Sequence, residues 1–287
     1  MKKITSKILT ACAMAASLAT LSSGAMAQTA TPDFPDFVVD QSAQFTIDNT
    51  LRALSSGGTF TADKITGNYA ERLTFAENSN AFQVALYWNA GQFVKDDGTV
   101  AVSSGLNSSY GLYATFTGNG VVSSSGTRPI TFSFVEGGFL NLYLDPNRNT
   151  TLGLPATADA GVIRTGNSDD ILIGTGIPLA GFGSLDPQSL TCGMNRGINC
   201  GSFGSQTSFE LTEEGSKFFV SPNPFYDISF QSGQFNVFSP SGSATTNGSM
   251  DVIFRSQVPE PATVALLGLG LLGVAAARRK AAKRAGV

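Results

Sequence analysis

Histidine is absent from the 287 residues of this sequence, and charged residues make up only 14% of them. A chain without histidine has no Ser-His-Asp or Cys-His nucleophile system and no imidazole metal ligand. Most hydrolase and zinc chemistry is therefore excluded. The low charge, against about 25% in typical globular chains, predicts a surface made polar mainly by Ser, Thr, Asn, Gln and Gly.

The N-terminal residues 1–27 have the order of a secretory signal peptide. The basic start contains Lys2, Lys3 and Lys7, and the apolar run spans residues 8–21. The small residues Ala25 and Ala27 follow. This order predicts cleavage between Ala27 and Gln28. The sequence around Cys12 is similar to a lipoprotein cleavage box, but only two apolar residues separate this box from the basic start, which is too few for export.

The C-terminal residues 258–287 combine a proline motif, an apolar run and a basic cluster. The proline motif consists of Val258, Pro259, Glu260 and Pro261. The basic cluster consists of Arg278, Arg279 and Lys280. The uncharged residues 262–277 between them would form a helix about 24 Å long, close to the hydrocarbon thickness of about 30 Å. We expect a single transmembrane helix whose basic end stays in the cytoplasm.

These three parts, in this order, resemble the PEP-CTERM sorting signal. The resemblance covers about a tenth of the chain and implies recognition by an exosortase, a membrane transpeptidase-like enzyme of Gram-negative bacteria that make exopolysaccharide. Pro259 and Pro261 fix φ and disfavour helix, so Glu260 is expected in an extended peptide just outside the membrane. A plain membrane anchor, in which the prolines only end the helix, is the alternative.

The domain predicted between these signals, residues 28–257, is acidic. It contains twenty acidic and ten basic residues, so its net charge is −10. Such a field repels phosphate backbones, and nucleic acid is not an expected partner. The same charge suits divalent cations or a cation-bridged anionic matrix.

Two of the three cysteines, Cys192 and Cys200, remain after removal of the signal peptide. They lie close together in a Gly- and Asn-rich segment of an exported chain, and export favours disulfide formation. We expect one local disulfide that pins a loop. A redox or metal pair would require a closer CxxC spacing and further ligands.

Hydrophobic alternation with a period of two predicts an all-β fold. The pattern is clearest at Phe82, Val84, Leu86 and Trp88, and it recurs in residues 130–134 and 140–144. A hairpin is predicted at residues 92–102 around an Asp-Gly turn, and one helical turn at residues 212–219. Further strands are predicted within residues 37–47, 110–117, 208–211, 226–230, 235–238 and 250–254. The expected fold is an antiparallel β-sandwich or jelly roll, with residues 240–248 as a surface loop.

Candidate chemistry within the domain is sparse, and no catalytic residue, metal site or cofactor is predicted. Adjacent acids such as those at 96–97, 169–170 and 213–214 are expected in solvated turns. Residues 145–149 have the oxygen spacing of a calcium loop but lack its glycine and its bidentate acid. Residues 169–176 are similar to part of a calcium-binding nonapeptide repeat, of which a single copy cannot stack.

The later part of the domain resembles the flocculation-associated PEP-CTERM proteins. The segments concerned are 209–215 (FELTEEG), 225–230 (FYDISF), 234–238 (QFNVF) and 248–254 (GSMDVIF). The resemblance implies a non-catalytic surface or matrix protein that promotes cell aggregation with exopolysaccharide or neighbouring cell-surface molecules. The C-terminal signal in turn implies a transient inner-membrane stage before release to the surface. A carbohydrate-active enzyme or carbohydrate-binding module on a jelly roll is the alternative.

Overall fold

The computed structural model describes residues 34–123, 129–193, 197–234 and 240–255. These residues form twenty strands, one 3₁₀ turn at Ala158–Ala160 and one short helix, α1 (Glu213–Phe218). The strands are β1 (Phe37–Asp40), β2 (Gln44–Ile47), β3 (Thr50–Ala53), β4 (Thr59–Ala62), β5 (Lys64–Phe75), β6 (Ala81–Lys95), β7 (Val100–Ala101), β8 (Gly111–Val122), β9 (Ile130–Asp145), β10 (Thr151–Gly153), β11 (Ile163–Thr165), β12 (Ile171–Gly176), β13 (Pro178–Leu185), β14 (Cys192–Gly193), β15 (Gly197–Ile198), β16 (Gly201–Thr207), β17 (Glu210–Leu211), β18 (Phe219–Ser221), β19 (Asp227–Ser232) and β20 (Ser243–Arg255).

Eight antiparallel strands form one closed, barrel-like sheet. Their order is β13-β16-β19-β20-β5-β6-β8-β9, and β9 pairs back with β13 to close the ring. The prediction of an antiparallel all-β domain is confirmed. The expected two stacked sheets of a sandwich or jelly roll are replaced by a single sheet that encloses its core, since pairing of β9 with β13 removes both free edges.

The closure depends on a bend in β9. Its first half, at Ile130–Ser133, pairs with β13, whereas its second half, at Leu140–Leu144, pairs with β12. Gly137 and Gly138 lie between the halves with φ of 100° and 116°. A Cβ on Gly138 would lie 2.2 Å from the carbonyl oxygen of Thr117, so only glycine fits this position. The two strands predicted for this region are therefore one bent strand.

The interior of the closed sheet is filled by large apolar side chains. Trp88 is fully buried, and its indole Nε1 donates a hydrogen bond of 2.9 Å to the carbonyl oxygen of Met250. Beyond the rings inside the sheet, a second set of phenylalanines packs edge to face against one another and joins the outlying strands β1 and β18 to the core. This set consists of Phe37, Phe93, Phe209, Phe218, Phe219, Phe225 and Phe254, and the contacts of Phe93 with Phe37 and Phe218 are tilted rather than edge to face.

Several local predictions are confirmed. The hairpin predicted at residues 92–102 is formed by β6 and β7, and the helical turn predicted at residues 212–219 is α1. Thr212 caps that helix by accepting a hydrogen bond from the backbone N–H of Gly215. Such a cap satisfies one of the donors that a helix N-terminus leaves free.

Other predictions are wrong or incomplete. Residues 37–47, expected as one strand region, form β1 and β2 in different sheets. Residues 240–248 are not wholly a surface loop, because β20 begins at Ser243 and pairs with β5 along its length. The twelve-residue β5 is not among the predicted strands. The strand predicted at residues 235–238 lies outside the described residues.

Within the described ranges, no helix is long and apolar enough to cross a membrane. The predicted transmembrane helix at residues 262–277 and the signal peptide at residues 1–27 lie outside these ranges.

Candidate functional site

Three aspartates converge where β9 ends and β12 begins. Leu144 of β9 pairs with Ile171 of β12, and because the strands are antiparallel, the next residues, Asp145 and Asp170, come together. Asp169 joins them. One carboxylate oxygen of each aspartate lies within 4.8 Å of the other two. Asp145 and Asp169 are buried, with 5% and 7% of their surface exposed.

Backbone N–H groups of the loop after β9 hold two of these carboxylates. Asn149 and Thr150 donate to the two oxygens of Asp145 over 3.2 and 3.0 Å, and Asn147 donates to Oδ2 of Asp169 over 3.2 Å. The other oxygen of Asp169, Oδ1, is buried and has no hydrogen-bond partner among the described residues. The loop thus orients the carboxylates toward one another but leaves one buried oxygen unsatisfied.

The third carboxylate, Asp170, faces polar side chains. It accepts hydrogen bonds from the hydroxyls of Thr150 and Tyr113. Arg164 donates to the Tyr113 hydroxyl over 3.1 Å and stacks over the ring of Tyr143. Burial raises the pKa of Asp170, against the opposing effect of its two hydroxyl donors. No lysine or arginine in the described part of the chain forms an ion pair with any of the three aspartates.

In the sequence, segments 145–149 and 169–176 are two separate, incomplete calcium motifs. The fold brings aspartates of both segments together. The expectation of solvated turns holds for the exposed pair Asp96 and Asp97. It is wrong for Asp169, which is buried. Sequence spacing could not reveal the cluster, because it arises from the pairing of β9 with β12.

The predicted disulfide is present. Cys192 and Cys200 are both buried and bonded to each other, with their Cα atoms 4.5 Å apart. They lie in the connection between β13 and β16, and β13 is the strand that pairs with β9 to close the sheet. In the loop-entropy account, a ring this small contributes about 2–3 kcal/mol to stability. The bond therefore pins a local loop, as expected.

A shallow trough crosses the outer face of the closed sheet. The register places Phe182, Gly204, Gln231, Asp251 and Thr66 side by side on five neighbouring strands. The trough has a volume of about 530 Å³. Gly204, which has no side chain, lies at its floor, and Phe182, a residue that is 58% exposed, lines one side. An exposed ring beside amide and carboxylate groups can contact both the apolar and the polar groups of a ligand.

The carboxyl group of Glu71 is buried in the interior of the closed sheet. It lies beside a cavity of about 20 Å³, which is room for about one water molecule. Oε2 of Glu71 is buried and has no hydrogen-bond partner among the described residues. Complete burial raises the pKa of Glu71 to about 8. The other residues around the cavity are Leu73, Phe82, Phe132, Phe134, Gly183 and Phe203.

The last described strand leads directly to the C-terminal signal. β20 ends at Arg255, immediately after the core residue Phe254, and lies in the sheet between β19 and β5. Cleavage near Pro259, Glu260 and Pro261 would therefore remove none of the described strands. This motif and the basic residues Arg278, Arg279 and Lys280 lie outside the described residues, as do Ala25, Ala27 and Gln28.

The combination of a β-rich domain and this C-terminal segment is that of an exported protein with a membrane-anchored precursor. Comparison with protein families identifies the PEP-CTERM protein-sorting motif at residues 257–280. The chain carries this sorting signal, which marks it for export, for processing by an exosortase and for delivery to the cell surface. No curated protein and no solved structure matches the chain.

Proposed function

We propose that the processed protein is a non-catalytic component of the cell surface or extracellular matrix that promotes cell aggregation by binding exopolysaccharide. The observation that carries the proposal is the sorting motif at residues 257–280. It directs the folded domain to the surface, where contacts with polysaccharide and neighbouring cells are made. The resemblance of residues 209–254 to the flocculation-associated PEP-CTERM proteins supports the same role.

The outer trough supplies a surface of the required chemistry. Polysaccharides present hydroxyl groups and patches of C–H, and the trough offers the ring of Phe182 together with the amide of Gln231 and the carboxylate of Asp251. Asp251 is held by an ion pair of 3.0 Å with Lys64. This surface lies on strands of the closed sheet, so its side chains are held in a fixed arrangement.

The proposed mechanism is avidity. One shallow trough provides a small contact area and a weak single interaction, but many copies on one surface engage many repeats of a polymer at once. Linked weak contacts can exceed the single affinity by about 10²–10⁴-fold. Aggregation then requires surface display of many copies, which the sorting signal provides.

Loss of the Phe182 ring is expected to weaken aggregation without unfolding the protein. The experiment uses a deletion strain complemented with the wild type, with Phe182→Ala, or with Phe139→Ala. Phe139 is a matched control, because it is 67% exposed on β9 and lies outside the trough. We expect settling of cell aggregates to be restored by the wild type and by Phe139→Ala, and reduced at least several-fold with Phe182→Ala.

The same strains test the alternatives. A deletion strain that aggregates normally contradicts the proposed role. Polysaccharide binding by the purified chain without any effect on aggregation favours a carbohydrate-binding module. Cleavage of a glycan by the purified chain, abolished by substitution of a single Asp or Glu, favours a carbohydrate-active enzyme.

A further inference from the structure

The aspartate cluster between β9 and β12 concentrates negative charge, which Arg164 offsets in part through the Tyr113 hydroxyl. Three carboxylates place oxygens within 4.8 Å of one another, and two of the three residues are more than nine-tenths buried. Buried charges are costly unless they are paired or coordinate a metal. Across the described ranges, no ion pair reaches any of them.

A second observation points to a ligand at the same place. Asp169 is only 7% exposed, and its Oδ1 lacks any hydrogen-bond donor among the described residues. A buried carboxylate oxygen without a partner costs free energy in the absence of a ligand. The carboxylate that carries this oxygen is one of the three that converge, so a cation in the cluster would satisfy it.

The hydrogen bonds at the cluster leave room for a cation on the carboxylate oxygens. Backbone N–H groups donate to Asp145 and Asp169, and the hydroxyls of Thr150 and Tyr113 donate to Asp170. Each oxygen retains a further lone pair, so these hydrogen bonds remain compatible with metal coordination.

The donor set selects a hard cation. All three groups are carboxylates, the chain has no histidine, and Cys192 and Cys200 are bonded to each other. Calcium accepts six to eight oxygen ligands in irregular geometry, whereas magnesium demands a near-octahedral set. Two loops that meet at the ends of paired strands provide an irregular set of oxygens.

We propose that Asp145, Asp169 and Asp170 bind one calcium ion, which ties the loop after β9 to the segment before β12. The ion would neutralise the buried carboxylates and hold these two strand ends together. Calcium sites of extracellular modules have dissociation constants of about 0.1–1 mM, and we expect this range here. The site lies outside the proposed polysaccharide trough, and its existence does not depend on the aggregation role.

Thermal unfolding of the full chain in mild detergent tests the site. Buffers contain either EDTA or 10 mM CaCl₂, and the variants are Asp169→Asn and Asp159→Asn. Asp159 is an exposed control outside the cluster. Calcium is expected to raise the unfolding midpoint of the wild type and of Asp159→Asn by roughly 3 °C or more, and not that of Asp169→Asn. In EDTA, Asp169→Asn is expected to unfold no earlier than the wild type, because it removes a buried charge.

Terbium luminescence provides a direct measurement on the unmodified chain. Excited tyrosine sensitises a bound terbium ion nearby, and the Tyr113 hydroxyl contacts Asp170. We expect luminescence that saturates with terbium and falls as calcium competes. A wild type with neither a calcium-dependent midpoint nor competed luminescence overturns the proposal, as does an equal calcium shift in Asp169→Asn.

Discussion

Substitution of Glu71 by glutamine is expected to remove a strong pH dependence of stability. The folded protein raises the pKa of Glu71 to about 8, above its ordinary value of 4.5, because the carboxyl is completely buried. The folded state therefore holds a proton that the unfolded state releases. The resulting stabilisation is fully present below pH 4.5 and is lost as pH rises through about 8. The wild type should lose roughly 3–5 kcal/mol of unfolding free energy across this window.

The measurement is the free energy of unfolding by urea, determined between pH 5 and pH 9. Glu71→Gln should be nearly as stable as the wild type at pH 5 and more stable at pH 9, because glutamine does not ionise. Glu77→Gln is the control, since Glu77 is exposed in the turn after β5. A wild type and a Glu71→Gln variant with the same pH profile would show that Glu71 is not protonated in the fold.

Replacement of Trp88 by alanine is expected to lower the free energy of unfolding by about 3–5 kcal/mol. Trp88 is completely buried in the closed sheet, and its indole donates to the carbonyl of Met250. The variant loses apolar contacts, leaves a cavity and strands a buried carbonyl oxygen. Trp88→Phe retains part of the ring volume but not the hydrogen bond, so it should lie between the wild type and alanine.

Unfolding of these variants should be measured by circular dichroism. Trp88 is the single tryptophan of the chain, so its substitution removes the tryptophan fluorescence signal. Phe139→Ala, at an exposed position on β9, should change stability by less than about 0.5 kcal/mol. Equal stability of Trp88→Ala and the wild type would contradict the placement of Trp88 in the core.

The strands were more predictable than their closure. Alternation at Phe82, Val84, Leu86 and Trp88 marks β6 directly, since one face of the strand is buried. The same alternation occurs in a sandwich and in a closed sheet, so it cannot reveal that β9 pairs with β13. Gly137 and Gly138 determine that bend through positive φ, a property visible only once the pairing is known.

The absence of β5 from the predicted strands has a specific cause. Its buried face carries Ile65, Gly67, Tyr69, Glu71 and Leu73, so a glycine and a carboxyl interrupt the apolar pattern. A pattern of apolar residues predicts that a glutamate is exposed. Glu71 is instead buried, and its raised pKa keeps it neutral near pH 7.

The candidate sites also differ in whether the sequence alone can reveal them. A sorting signal is a linear motif, so residues 257–280 are recognisable without a fold. The aspartate cluster and the trough depend on strand register. Asp145 and Asp170 are twenty-five positions apart in the chain and meet only because Leu144 pairs with Ile171.

The central claim is that this β-rich domain is released to the cell surface by processing at its C-terminal signal. Intact mass and cell fractionation of the protein from its native cells, beside a Glu260→Ala variant, test it most directly. The account predicts a wild-type chain that begins at Gln28, ends near Pro261 and lies outside the inner membrane, while the variant retains its tail in that membrane. Retention of the complete tail in the inner membrane by both forms would contradict the account.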